Sequence, residues 1–436
     1  MSRVRLGIMF LSLFVASCTQ RSAAPTVTAN APGLSVRESQ ALCLADGDNL
    51  PELKHAQAEA RNLPSHADLW VAAGHGWVRQ ARLRTDPGFY VNVEGCAREA
   101  LLAKPDYPPA LELRSLVLMN NHQFEAARGL AAQIVRRDPA SIIGNGMLSD
   151  ASLELGHYDE AARAVQAQMN AHPGMAANAR ASYLNWLRGD TRSAELFIRD
   201  ALLDSNSDDK EAAAWTFVEA GMMYWQQGDY EGADAIFSEA LRWLPDYPAA
   251  LVGRGRVAMA QRRAPAAIDD FSQALRRHPL LETAWLLGDA YQMAGRQELA
   301  RQAYADAERQ GRRGDKLGLA YFYASKNTHV DEALRLIDEE RRNRGGIYVD
   351  DAYAWVLYRA GRIDQARLAS AQALRLGTRD ARLLYHAGVI ELAAGNDARG
   401  RQLLSRALAL NPGFDVSGAD EARRLLLPTS ANVARN

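Results

Sequence analysis

An excess of one charge sign is missing from this chain of 436 residues. Lys and Arg number 51 against 52 Asp and Glu, a formal net charge of −1. No global basic field is therefore available to hold nucleic acid. Cysteine is nearly missing as well, with three in all and no CxxC. The nine histidines contain no HExxH and no pair at i, i+4, so no metal is expected. No GxxxxGK[ST], no GxGxxG after a strand and no GxSxG elbow occurs, which leaves catalysis and cofactor binding without a carrier. Strand patterns are hard to find. The apolar run from Leu6 to Val15 is ten residues, too short to span a bilayer.

What is present is periodicity. Between Ala214 and Gln310, Gly221, Gly255 and Gly288 form one column, and Ala233, Ala267 and Ala300 a second. Phe237, Phe271 and Tyr304 make a third, Ala240, Ala274 and Ala307 a fourth, and Pro245 and Pro279 a fifth. The glycines are spaced by 34 and then 33 residues. A repeat of that length, read as two amphipathic helices, marks a stacked helical solenoid. Small residues at the glycine and alanine columns let the two helices approach. The aromatic fills the space between units, and proline ends the second helix. Composition agrees, since 48% of the residues are hydrophobic, ample for a core that grows in one dimension.

The unit resembles the tetratricopeptide repeat, whose small, tyrosine, alanine, aromatic, alanine and proline positions match Gly221, Tyr224, Ala233, Phe237, Ala240 and Pro245. The resemblance implies an all-α, right-handed superhelix of about nine repeats over 108–413. Unit starts fall near 108, 142, 175, 214, 248, 281, 314, 347 and 381. The unit from 314 is degraded and is kept by spacing and by HVDEAL at 329–334. Residues 37–107 read as an irregular helical cap with helices at 39–45, 51–62, 67–84 and 90–103. Residues 414–436 read as a capping helix followed by a tail.

Residues 1–18 read as an export signal, with Arg3 and Arg5 ahead of the apolar run. Its end, Val15-Ala16-Ser17-Cys18, resembles the bacterial lipobox, which implies lipidation of Cys18. Residue 19 is threonine, not the aspartate of that family's inner-membrane retention signal. The resemblance thus implies a lipid anchor on the periplasmic side of a Gram-negative outer membrane. Residues 19–36 are a small, polar, proline-containing tether. Cys43 and Cys96 are then the remaining cysteines, either bridged or separately buried. A bridge closing that loop would contribute about 4 kcal/mol in the chain-entropy model.

In the tetratricopeptide family, positions 2, 5, 9, 12 and 13 of each unit line the concave groove. Here the resemblance assigns Tyr183, Trp186, Trp215, Met222, Trp225, Arg256, Met259, Trp285, Asp289, Met293, Trp355, Tyr358, Arg359 and Tyr385 to it. Phe322 and Lys326 come from the degraded unit. Five of the eight tryptophans fall on these positions. Such a surface suits an extended peptide or an amphipathic helix. The opposing reading packs these rings against each other in a tightly wound superhelix. The Lys/Asn clamp for peptide carboxyl termini is absent, its columns holding Val218, Met222, Val252, Arg256, Trp285 and Asp289. Charge is uneven, with ten acids against Lys210 over 200–239 and six arginines against Asp269 and Asp270 over 251–280. Neighbouring units attracting each other explains this, and an acidic docking patch near 203–211 is the other reading.

The expected function is a non-enzymatic scaffold for envelope assembly or secretion proteins, anchored at the outer membrane and gripping partner segments in an aromatic groove. The alternative is a glycan-binding scaffold in polysaccharide export or cell-wall remodelling, with the aromatics stacking on sugars.

Overall fold

The computed structural model describes residues 35–46, 50–84, 86–205 and 209–427. The export signal, Cys18 and most of the tether lie outside the described residues. The described chain is all α-helical apart from one 3-10 turn. Four helices open it: α1 (Val36–Cys43), α2 (Pro51–Asn62), α3 (Ala67–Arg84) and α4 (Tyr90–Ala103). Nine helical hairpins follow. The first three are α5 (Pro108–Asn120) with α6 (Phe124–Arg137), α7 (Ile142–Glu154) with α8 (Tyr158–Ala171), and α9 (Met175–Leu187) with α10 (Thr191–Leu203). The next three are α11 (Lys210–Gln226) with α12 (Tyr230–Trp243), α13 (Pro248–Ala260) with α14 (Ala264–Arg277), and α15 (Leu281–Met293) with α16 (Gln297–Gly311). The last three are α17 (Lys316–Lys326) with α18 (Val330–Glu340), α19 (Ile347–Arg359) with α20 (Ile363–Ala373), and α21 (Ala381–Ala393) with α22 (Asp397–Leu410). Helix α23 (Val416–Leu426) closes the array.

Local chemistry sets these boundaries. Asp209, Asp315, Asp380 and Asp415 cap the starts of α11, α17, α21 and α23 with side-chain oxygens. The second helix of several units ends at a residue in extended geometry just before proline, as at Leu244 (φ −138°, ψ 96°) and His278 (φ −145°, ψ 106°). Within each hairpin the turn needs one left-handed residue. Glycine supplies it at Gly156, Gly189, Gly228, Gly295, Gly361 and Gly395, while His122, Arg262 and Asn327 adopt it in other units.

The columns pack as their sizes require. A methyl on Gly221, Gly255 or Gly288 would lie 2.6, 2.4 or 2.4 Å from the ring of Phe237, Phe271 or Tyr304 in the same unit. Phe237 also abuts Gly253 of the next unit, so one ring seals both the hairpin and the junction. The alanine column is fully buried at Ala127, Ala161, Ala233, Ala267, Ala333 and Ala366.

The cap shares its core with α5 through Ala110, Leu113 and Val117. Cys43 and Cys96 are joined by a disulfide, both fully buried, between α1 and α4. Trp77 Nε1 donates to Cys43 O at 2.8 Å, and Asn92 Nδ2 to Leu42 O at 2.8 Å, which ties the end of α1 to its neighbours.

The superhelix is wound so tightly that its second turn rests on its first. Ile347 N donates to Tyr158 Oη at 2.9 Å across 189 residues. Thr378 Oγ1 donates to Leu187 O across 191 residues, and Asn411 Nδ2 to Trp225 O at 2.7 Å across 186. Gly345 N donates to Glu154 O at 2.9 Å. One superhelical turn therefore takes roughly 190 residues, between five and six units of about 34. The hairpin turns of the early units thus meet the loops between the late ones. Arg344 and Glu154, 8% and 9% exposed, form an ion pair of 2.7 Å within that seam.

The arginine-rich stretch is spent on structure. Arg254 pairs with Asp270, Arg256 with Glu282 of the next unit, Arg277 with Asp246, and Arg262 with Asp420 of α23. These contacts tie units and turns to one another.

Candidate functional site

The groove was expected on the first helix of each hairpin, and tight winding decides what those side chains meet. Of the fourteen residues assigned to the groove, none is exposed. Trp186, Trp225, Met259, Trp355 and Tyr385 are buried, between 2% and 6% exposed. Tyr183, Trp215, Met222, Arg256, Trp285, Asp289, Met293, Tyr358 and Arg359 are half-buried. The reason is the short superhelical turn. Tyr183 packs with Tyr158, Ile347 and Tyr348 of two different turns, and Arg256 lies over the Trp225 ring at 5.5 Å.

Five of the fourteen come together in one pocket at the carboxyl-terminal end. Trp285, Asp289, Trp355, Arg359 and Tyr385 line it beside Tyr321, Ser325, Lys326, Arg382 and His386, with α23 as its cover. Its volume is about 500 Å³ including the open mouth.

Each wall has a distinct chemistry. Lys326 Nζ donates to Asp289 Oδ1 at 2.5 Å and to Tyr304 Oη at 3.1 Å, with its ammonium 4.2 Å above the Tyr304 ring. Burial pushes the Asp289 carboxyl up, with the Lys326 charge opposing. His386 is stacked on Trp355 at 4.2 Å, and its Nδ1 lies 2.9 Å from the carboxylate of Asp351. His386 Nε2 is 3.5 Å from Tyr321 Oη, whose phenol is pushed up by burial. Arg359 covers the Trp355 ring at 4.5 Å, and Arg382 lies over Tyr321 at 5.2 Å. From α23 and the loop before it, Phe414 packs on Tyr385 at 5.4 Å, and Tyr385 Oη donates to Glu421 at 2.8 Å.

Tyr321, Asp351, Arg382 and His386 were not assigned to the groove from the sequence. The signal for two of them was there: Asp351 and Arg382 stand at the fifth and second positions of their units, two of the positions that define the groove. His386, Phe414 and Glu421 had none, because the stacking and the return of α23 are tertiary. Among the described residues no cluster of three or more His, Cys, Asp or Glu could hold a metal ion, and no helix is long and apolar enough to cross a membrane.

Residues 218–282, 254–315 and 352–413 match the family model described as tetratricopeptide repeat. These segments are tetratricopeptide repeats. No curated protein matches the sequence. Among solved structures, human IFIT1, as a dimer with PPP-AAAA, is 16% identical over 87% of this chain and 95% of its own, at a TM-score of 0.48. Yeast Tom70 is 14% identical over 86% and 95% respectively, at 0.33. A tetratricopeptide repeat protein from Parabacteroides merdae is 18% identical over 58% and 99%, at 0.32. At these identities the likeness concerns the fold alone.

Proposed function

We propose that this chain is a lipid-anchored scaffold that holds envelope assembly or secretion proteins together at the periplasmic face of a Gram-negative outer membrane. The observation that carries the scaffold reading is the match of three segments to the tetratricopeptide repeat, since such arrays present extended concave surfaces for binding proteins. Two features support the location: the lipobox-like Val15-Ala16-Ser17-Cys18 of the sequence, and the buried Cys43–Cys96 disulfide, a bond suited to an oxidising compartment. A partner segment meets the half-buried groove residues, chiefly Trp215, Met222, Arg256 and Trp285, while the buried rings form the wall behind them.

The glycan reading is not carried further. Trp355 is 2% exposed, stacked on His386 and Tyr358 and covered by Arg359, so no free indole face meets a sugar there. The test is a crosslinked pull-down of the lipidated protein from its native envelope, beside the double variant Trp215→Ala/Trp285→Ala and the unanchored variant Cys18→Ser. The expected result is a partner retained by the wild type, lost by the double variant, and a membrane fraction emptied by Cys18→Ser. A partner held equally by wild type and double variant would remove the groove from this reading.

A further inference from the structure

We propose that the pocket beneath α23 binds a small organic anion, its carboxylate or phosphate held by the guanidinium groups of Arg359 and Arg382. The inference is independent of the scaffold reading, because it concerns a small molecule and is read on the purified protein.

The argument starts from which charges on the pocket wall are already engaged. Asp289 is held by Lys326 and Tyr304, and Asp351 by His386. Asp380 caps α21 and accepts from Gln226. Asp415 caps α23, and Glu421 accepts from Tyr385. Every carboxylate at or near the wall therefore has a donor.

The two arginines differ. Arg359 spends only Nε, on Ala324 O at 2.9 Å, and rests its plane on Trp355 and Tyr358. Arg382 has aromatic neighbours, Tyr321 and Tyr348, but its Nε has no hydrogen-bond partner. Among the described residues neither arginine makes an ion pair, and the Nη groups of both donate to nothing. Asp351 and Asp380 lie close enough to stabilise the Arg382 charge but take no hydrogen bond from its guanidinium, and the planar fork of each arginine matches a carboxylate or phosphate through two parallel hydrogen bonds. The pocket's unspent capacity is thus a set of guanidinium donors in a geometrically specific fork.

Trp285, Trp355, Tyr385 and Phe414 supply apolar wall around the polar groups, the mixed lining of a small-molecule site. Gly413 packs against Ala260, and Val416 packs on the core formed by Leu251, Met259 and Leu287, so the segment entering α23 lies across this end of the array and walls one side of the recess.

The experiment is calorimetric titration of the full-length protein at low ionic strength with succinate, inorganic phosphate and the neutral succinamide, with tryptophan fluorescence as a second readout. The expected result is saturable binding of one or both anions and none of succinamide, and the preferred anion identifies the head group. Arg359→Gln and Arg382→Lys are each expected to weaken it at least tenfold with an unchanged circular dichroism spectrum. Should Arg382→Lys fail to fold, Arg359→Gln decides, because that residue is half-buried. No saturable binding of either anion to the wild type, or equal binding by the folded variants, would overturn the proposal.

Discussion

Glu112 lies on the buried face of α5, with Arg82, Arg180 and Asp150 as charged neighbours. Burial pushes its carboxyl up to about 8, outweighing the attraction of the two arginines, and its Oε2 has no hydrogen-bond partner. The folded protein thus keeps a proton at neutral pH that the unfolded chain releases near the ordinary carboxyl value of 4.5. Stability contributed at this site falls as pH rises from about 4.5 to about 8, by about 1.4 kcal/mol per unit at most. Glu112→Gln should remove that slope, leaving a variant little changed at pH 5 and more stable than the wild type at pH 8. Urea midpoints at the two pH values check this, and equal slopes in both proteins would contradict it. His75 and His278 act at the other end. Burial holds each near 4, so both are neutral when folded and their contribution is lost as pH falls from 6.5 toward 4.

At the scale of elements, α23 is more than a cap. It covers the last unit through Phe414 on Tyr385 and Glu421 on the Tyr385 hydroxyl, and it reaches Arg262 on the preceding turn through Asp420. Phe414 is 5% exposed, so Phe414→Ala should cost about 3 kcal/mol. The segment around Phe414 touches α21 and, through Gly413 and Val416, the earlier helix α13, so the loss should be felt in those elements first. Hydrogen exchange should speed up in α21, α23 and α13 and not in the disulfide-joined cap. A uniform loss of protection would show instead that the array folds as one unit. Elements were also the scale at which the sequence was most legible. Proline after the second helix, a small residue facing an aromatic and aspartate at helix starts are local rules, and the nine hairpins follow them. The starts at Lys210 and Lys316 depart by a few residues from those expected near 214 and 314, because Asp209 and Asp315 cap their helices where the repeat columns alone do not specify a start. The pocket was only half legible. Column position assigned Trp285, Asp289, Lys326, Trp355, Arg359 and Tyr385, but which rings stack on which depends on neighbours distant in sequence.

For the whole molecule, the decisive contact is the seam between superhelical turns. Gly345 fits there because a methyl on it would lie 2.4 Å from Leu155 O. Beside it Arg344 neutralises Glu154, whose carboxyl burial pushes up despite that partner. Arg344→Ala leaves a buried carboxylate unpaired and should cost about 3–5 kcal/mol. The seam should then open, which X-ray scattering would register as a larger radius of gyration. Unchanged scattering and stability would mean that the winding is set within the units and that the seam merely rests on it.

The sequence by itself determined the repeat, the helices and their boundaries, and which face of each helix turns inward, because these depend on residues within about 34 positions of one another. The expectation of an export and lipidation signal rests on residues 1–18, outside the described residues. Only the tertiary structure decided how tightly the array winds. That angle accumulates from small rotations at each junction, so no single column encodes it. Once a turn closes after roughly 190 residues, groove side chains meet the opposite wall and the next turn. The positions expected to line an open aromatic groove are therefore buried or half-buried among the described residues, and a recess beneath α23 gathers five of them, Arg359 included, beside Arg382.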